Sequence, residues 1–274
     1  MDLIVFDLDG TLLNRESRIS AFTAETLKLL EKQEIAYTVA TGRTRNGART
    51  VLEGHRFPLP QAYKNGVVIW HPEAENYTSV ALLTPDELHA VVAACEANGL
   101  TPFVFTLDTE GHSRVYHTPV TSKVEQGLLE SIGIDERLTA HDLSELPEDA
   151  EVTHINAVGA PDPVLAVYHA VESESHLVAY TGVALEGHEW RWLDVHHSDA
   201  SKGGAIVTLK ELAGLERLLV FGDSDNDLSM FAAADESFAP SNANERIRSN
   251  ATEVIGHHDE DGVAKYLRER FDLR

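Results

Sequence analysis

The stretch Val5-Phe6-Asp7-Leu8-Asp9-Gly10-Thr11-Leu12-Leu13 decides how the rest of the chain is read. It continues a short apolar run, Leu3 to Phe6, whose length and composition predict a buried parallel strand. Asp7 and Asp9 then fall at the carboxyl end of that strand, the edge where open α/β sheets bind ligands. Two acids one residue apart face opposite ways along a continuing strand. A turn at Gly10, which tolerates backbone angles other residues resist, can bring both to one pocket. The spacing suits one nucleophile and one proton-transfer group. The competing reading is a plain solvated turn, so the weight of the stretch depends on what accompanies it.

Three further segments complete a constellation. Ile35 to Ala40 reads as a strand that ends in Thr41-Gly42-Arg43. Ser201-Lys202-Gly203-Gly204 opens a helical pattern much later. Leu218 to Phe221 is another apolar strand, running into Gly222-Asp223-Ser224-Asp225-Asn226-Asp227. In a parallel sheet these strand ends converge on one edge. A hydroxyl, an ammonium and several carboxylates gathered there describe a site for phosphate and a divalent cation, which prefers hard oxygen ligands.

In these residues the sequence resembles the haloacid dehalogenase superfamily, specifically its Cof-type phosphatases with an inserted C2-type cap. The match lies in Asp7-Leu8-Asp9-Gly10-Thr11, Thr41-Gly42-Arg43, Lys202, and Gly222-Asp223 with Asn226-Asp227. Weaker echoes are Asn65-Gly66, Ala239 to Ala243 and Asp259 to Ala264. The resemblance covers both ends of the chain and leaves the middle third matched only in length and coarse pattern. It implies an α/β fold: a doubly wound, Rossmann-like parallel-sheet core over residues 1–79 and 196–274. An α+β cap over 80–195 is implied as the insertion that chooses the substrate.

The resemblance also implies roles. Asp7 is the nucleophile that forms an aspartyl-phosphate, and Asp9 the acid and base. Thr41, Gly42, Lys202 and Asn226 bind the phosphoryl oxygens. Magnesium is held by the Asp7 carboxylate, the Asp9 carbonyl and Asp223, with Asp227 close by or bound through water. Arg43, Arg114 and Arg191 are candidates for specificity, together with Arg45, Tyr116, Glu186 and His188. The partner is a small phosphorylated metabolite, and the chain is a monomer or homodimer in the cytoplasm. A phosphomutase on the same scaffold and a non-catalytic sugar-phosphate sensor are the alternatives. A mutase would move phosphate within one sugar without releasing it, and a sensor would bind without turnover.

Plainer readings stand beside these. Thr41 could cap the following helix, Lys202 could sit on a helix surface, and Arg43 and Arg45 could pair with nearby acids. Asp194 reads as structural and Asp225 as solvent-facing. His196-His197 and His257-His258 look like metal pairs, but no third ligand has matching spacing, so both read as loop residues. The first pair is placed in the return hinge, His196 to Asp199.

Composition excludes several classes. The 274 residues carry 45 acids against 22 bases, a net charge of -23. That opposes binding to a nucleic-acid backbone or an anionic membrane surface, which needs a basic patch. No apolar stretch approaches the ~20 residues of a membrane helix. One cysteine, Cys95, leaves no internal disulfide and suits a reducing compartment. Along the chain, a helix is predicted from Ser20 over residues 21–33, another over 44–52, and a sheet strand at Val67 to Trp70. His71-Pro72 with Glu73 and Glu75 is predicted as the exit from the core. In the insertion, strands are predicted at Val80–Leu83, 103–105, 114–116, 152–158, 177–180 and 191–195. Helices are predicted there over 85–98, 123–132 and 163–173.

Overall fold

In a computed structural model of the chain, the run before Asp7 forms an inner strand of a parallel sheet. The structure describes residues 2–79, 81–107, 113–132, 138–184 and 187–274. The first segment contains β1 (Asp2–Phe6), α1 (Ala21–Lys32), β2 (Ala36–Val39), α2 (Arg45–Leu52), β3 (Gln61–Tyr63), β4 (Val68–His71) and β5 (Asn76–Ser79). The middle segment begins with α3 (Pro85–Ala97), β6 (Phe103–Leu107), β7 (Ser113–His117), α4 (Lys123–Ile132) and β8 (Leu138–Asp142). It ends with β9 (Val152–Gly159), α5 (Pro161–Glu172), β10 (Leu177–Ala184) and β11 (Gly187–His197). The last segment holds α6 (Lys202–Ala213), β12 (Arg217–Phe221), α7 (Leu228–Ala233), β13 (Glu236–Pro240), α8 (Glu245–Asn250), β14 (Glu253–Ile255) and α9 (Gly262–Arg270).

Two units result, Met1–Val80 with Ser201–Arg274, and Ala81–Ala200. The first is built on a five-stranded sheet in the order β14-β13-β12-β1-β2, with every pairing parallel. Its strands β1 and β12 are apolar on both faces because both are covered. Ile4 and Phe6 of β1 pack with Leu27 and Leu30 of α1 and Leu267 of α9. Leu3 and Val5, on the opposite face, pack with Ala205 and Ile206 of α6 and Met230 of α7. Alternate residues of one strand thus serve two cores, which is the doubly wound arrangement. Ser20 caps α1 as predicted, accepting a hydrogen bond from Thr23 N at 3.0 Å.

Not every expectation for this unit holds. Val68–His71 does not extend the parallel sheet. It is the centre of a separate antiparallel sheet, β3-β4-β5, joined to the main sheet by one parallel bridge between Ala40 and Ala62. His71-Pro72 and Glu75 are not an exit either; they carry the turn that folds β5 back onto β4. Trp70 and Tyr77, 4.8 Å apart between ring centroids, form an aromatic cross-strand pair on that hairpin.

The Ala81–Ala200 unit is a six-stranded sheet in the order β10-β11-β9-β6-β7-β8. All pairings are antiparallel except β7 with β8. Val91 and Cys95 of α3 and Val164 and Val167 of α5 cover one face, against Val104, Ile155 and Leu193. Phe103, Phe105 and Val115, pointing the other way, meet Leu129 of α4. The Cys95 thiol lies inside the first of these cores, and burial pushes its pKa up to about 12, so it packs rather than reacts. Asp194 is buried and accepts from Asn156 Nδ2 at 2.8 Å, the structural role expected.

Three expectations are corrected here. Ala81–Leu83 has no strand structure, and Val80 lies outside the described residues. The strand β8 was not anticipated. His196 and His197 are the last residues of β11 rather than a hinge, and the chain rejoins the first unit at Ser201 rather than at residue 196.

Glu125, 2% exposed, is a buried charge of this unit. It accepts from Thr101 N, Thr121 N and Oγ1, and Ser122 N and Oγ at 2.8–3.2 Å. Burial alone would raise its carboxyl; the donors outweigh that and hold it below the usual value. A carboxylate depressed on folding stabilises above its unfolded pKa, and that stability is lost as pH falls through the folded pKa. Glu125→Ala should cost about 3 kcal/mol at neutral pH, from several charge-assisted bonds. Urea unfolding should show that cost shrinking steadily below about pH 4.3.

Candidate active site

Three segments of the first unit meet where β1 and β12 end. Asp7 N still donates to Phe221 O at 2.9 Å, so the two strands stay paired up to the first acid. Beyond it the chain turns through Leu8–Leu12, with Gly10 at φ +75°. A Cβ at Gly10 would collide with the Asp223 carboxylate, so the residue answers two demands, a left-handed backbone and a close approach. Asn242 Nδ2 ties the turn down by donating to Gly10 O at 2.8 Å.

Lys202 is the first residue of α6, whose cap Ser201 accepts from Gly204 N at 3.1 Å. Its side chain does not reach the surface: it is fully buried, with Nζ 2.5 Å from Asp7 Oδ1 and 2.6 Å from Asp227 Oδ1. Burial alone would lower the ammonium's pKa; Asp227 and Asp7 more than offset it and keep the group charged. The other oxygen of Asp227 accepts from Asp223 N at 2.9 Å and Ser224 N at 3.0 Å, closing the loop after β12. Asp223 accepts from Thr11 Oγ1 at 3.1 Å.

One carboxylate oxygen from each of Asp7, Asp223 and Asp227 lies within 4.8 Å of the other two. One ammonium faces three carboxyl groups. Burial first, then the negative neighbours Asp227 and Asp223, holds Asp7 well above the usual carboxylate range against the pull of Lys202. Burial and Asp227 raise Asp223 to about 6. Both acids are raised by burial and, after it, by neighbouring negative charge, and a hard divalent cation on oxygen ligands would offset both. The donor set fits such an ion.

The remaining expected residues form an adjoining group. Thr41 is buried and its hydroxyl accepts from Arg43 N at 3.1 Å; the cap of α2 is Thr44, so capping does not explain Thr41. Asn65 N donates to Thr41 O at 3.0 Å, and Asn65 Oδ1 accepts from Asn226 Nδ2 at 2.9 Å. A Cβ on Gly42 would stand 3.0 Å from Asn65 Oδ1. Thr41, Gly42 and Asn226 are therefore assembled around Asn65, which the sequence reading had not placed in the site. Its signal was the Lys64-Asn65-Gly66 run, all three at positive φ, with Gly66 at +97° pressed against the Ser201 carbonyl.

Asp9 is the exception. Its side chain is 54% exposed and held by Arg43, whose Nε and Nη2 donate to the two carboxylate oxygens at 2.6 and 2.5 Å. Its carboxylate is not among those clustered around Lys202. Arg43 thus takes the ion-pairing role foreseen as an alternative, while Arg45 lies over the Trp70 ring. Asp225 is exposed beside Arg246 at 3.6 Å. Arg114 and Arg191 lie in the other unit, on β7 and β11, with Arg191 Nε 3.3 Å from Thr181 Oγ1. Tyr116 is buried against His141, His188 is exposed, and Glu186 lies outside the described residues. His258 Nδ1 donates to Leu13 O at 2.7 Å and ties its loop to the turn after β1.

Comparison with known proteins agrees with this geometry. The family model of haloacid dehalogenase-like hydrolases matches residues 4–267. The 5-amino-6-(5-phospho-D-ribitylamino)uracil phosphatase YitU of Bacillus subtilis is 25% identical, with 99% of this chain and 98% of that protein aligned. The pyridoxal phosphate phosphatase YbhA of Escherichia coli is 24% identical over 97% of each. A haloacid dehalogenase-like hydrolase from B. subtilis of known structure superposes with a TM-score of 0.76 at 23% identity, covering 98% of this chain and 99% of its own. The chain belongs to the haloacid dehalogenase-like hydrolase family, and its relatives put it among the phosphatases of that family. Among the described residues no helix is long and apolar enough to cross a membrane.

Lys202→Met should destabilise the protein by about 3–5 kcal/mol without added divalent cation, because it leaves buried carboxylates uncompensated. Adding Asp227→Asn to it should recover about 1–2 kcal/mol by removing one of those charges. Chemical denaturation of the three proteins checks both statements.

Proposed function

We propose that the chain hydrolyses small phosphomonoesters through an aspartyl-phosphate on Asp7, with magnesium as cofactor. The observation that carries this is the buried Asp7–Lys202–Asp227 arrangement with Asp223 beside it. Lys202 holds Asp7 Oδ1, which fixes the carboxylate and leaves Oδ2 to attack phosphorus. The Asp7, Asp223 and Asp227 carboxylates and the Asp9 carbonyl would hold magnesium, which when bound offsets the repulsion between an anionic nucleophile and a phosphoryl dianion.

Thr41, the Gly42 amide, Lys202 and Asn226 are proposed to bind the phosphoryl oxygens. Their shared attachment to Asn65 orients Thr41 and Asn226 together before substrate arrives. Asp9 is proposed to protonate the leaving oxygen and then to take a proton from the attacking water. For that its carboxylate must exchange Arg43 for substrate, so Arg43 both stores Asp9 and is a candidate substrate contact. The unit Ala81–Ala200 is proposed to select the leaving group, with Arg114 and Arg191 as candidates. The relatives' named substrates make a sugar-like or heterocyclic phosphate the class to test first. One buried cysteine and a phosphorylated substrate support a cytoplasmic setting.

Phosphate release from a panel of such monoesters with magnesium tests the proposal. Asp7→Asn should lose at least about 1000-fold in kcat, and Asp9→Asn about 100- to 10,000-fold. Asp7→Asn retaining comparable turnover would overturn it. Magnesium should also raise the thermal midpoint of the native protein, as any ligand of the folded state does. In Asp223→Asn that rise should be absent or much smaller.

A further inference from the structure

We propose that a cleft between α2 and the β3-β4-β5 sheet is a second small-molecule site, built for an oxyanion carried on a flat ring. The cleft measures about 260 Å³. It is lined by Arg45 and Arg49 of α2, by Phe57, by Gln61 and Tyr63 of β3, and by Trp70 of β4. It shares no residue with the carboxylate cluster or with the Thr41–Asn65–Asn226 group.

Two features define its chemistry. The first is unpaired positive charge in a strongly acidic chain. Arg15, Arg43, Arg56, Arg217, Arg268 and Arg270 each hold a carboxylate. Among the described residues, neither Arg45 nor Arg49 does. Glu53, which also lines the cleft, forms no ion pair with either of them. Four residues apart on one helix, the two guanidiniums share a face. A planar fork of donors binds a carboxylate or phosphate in bidentate fashion, and two such forks suit one oxyanion.

The second feature is a rigid aromatic lining. The Arg45 guanidinium lies 3.6 Å from the Trp70 ring centroid, a cation–π contact that fixes its position. Tyr63 hydroxyl donates to Gln61 Oε1 at 2.5 Å, and Gln61 Nε2 donates to Phe57 O at 2.8 Å, so the polar floor is internally bonded. Phe57 and Trp70 are each more than nine-tenths buried and cannot rearrange freely. A preformed cleft with convergent cations and ring-lined walls takes an aromatic or heterocyclic phosphate, phosphonate or carboxylate. Its volume limits the body to about one ring.

Phenylphosphonate is the probe, because its carbon–phosphorus bond is not hydrolysed by a phosphomonoesterase. The readout is the Trp70 indole N–H resonance, assigned by its loss in Trp70→Phe. Phenylphosphonate should move it saturably. In Arg49→Gln the Kd should rise at least tenfold while phosphate release and the urea midpoint remain native; Arg49→Lys should fall between. Phenol and inorganic phosphate should each bind at least tenfold more weakly than phenylphosphonate. An unmoved resonance overturns the proposal. So does equal binding by Arg49→Gln, which would mean the signal reports the catalytic site. Phenol matching phenylphosphonate would reduce the cleft to an apolar surface, and inorganic phosphate matching it would leave an adventitious ion only.

Discussion

A fully buried ammonium, Lys202 Nζ, holds Asp7 at 2.5 Å and Asp227 at 2.6 Å. Neither partner is near Lys202 in sequence, so the contact locks the end of β1, the start of α6 and the loop after β12 into one body. Desolvating an ammonium costs several kcal/mol, and only close carboxylates offset it. The turn after Asp7 then runs close against the Asp223 carboxylate, where only a glycine fits at residue 10. A third acid, Asp223, arrives with that loop and finds no second cation. Burial, and then the negative charge of Asp227, push its pKa up to about 6.

Around this centre the parallel sheet supplies convergence and the small antiparallel sheet supplies support. Because β3 meets the main sheet through the Ala40–Ala62 bridge, Asn65 at its end reaches both Thr41 and Asn226. Two loops from distant parts of the chain are thus set by one residue, Asn65, which holds Thr41 through its backbone N–H and Asn226 through its side-chain oxygen. Arg43 leaves the same loop as Thr41 but turns to Asp9 and the Gly47 carbonyl. The two acids of the opening stretch consequently stand in different surroundings, Asp7 buried and Asp9 exposed. Under the proposed mechanism that division separates nucleophile from proton carrier.

The core of the site was legible because each strand ends where apolar residues give way to chemistry, as at Phe6-Asp7, Ala40-Thr41 and Phe221-Gly222. A buried parallel strand needs such a continuous apolar run, so its end is marked. Val68–His71 was misread for the same reason. Its composition is that of a buried strand, and composition does not tell a parallel neighbour from an antiparallel one. The Pro72 turn looked like an exit because turn chemistry is the same in a hairpin and in a linker. The half-polar β8 carries too little alternation to be noticed, and His196 reads as polar although its strand buries it completely. Asn65-Gly66 is visible as a motif, but the role of Asn65 in the site is not, since it comes from a contact with Asn226, 161 residues away in sequence. The Asp9–Arg43 pair likewise depends on how two loops face each other, and spacing alone offered ion pairing only as one of two choices.

The most direct test of the proposed chemistry is the stereochemical course at phosphorus, followed with a substrate chiral at that atom and isotopically labelled water. Attack by Asp7 and then by water inverts the centre twice, so net retention is predicted. Net inversion would show a single direct displacement by water and would contradict a covalent role for Asp7.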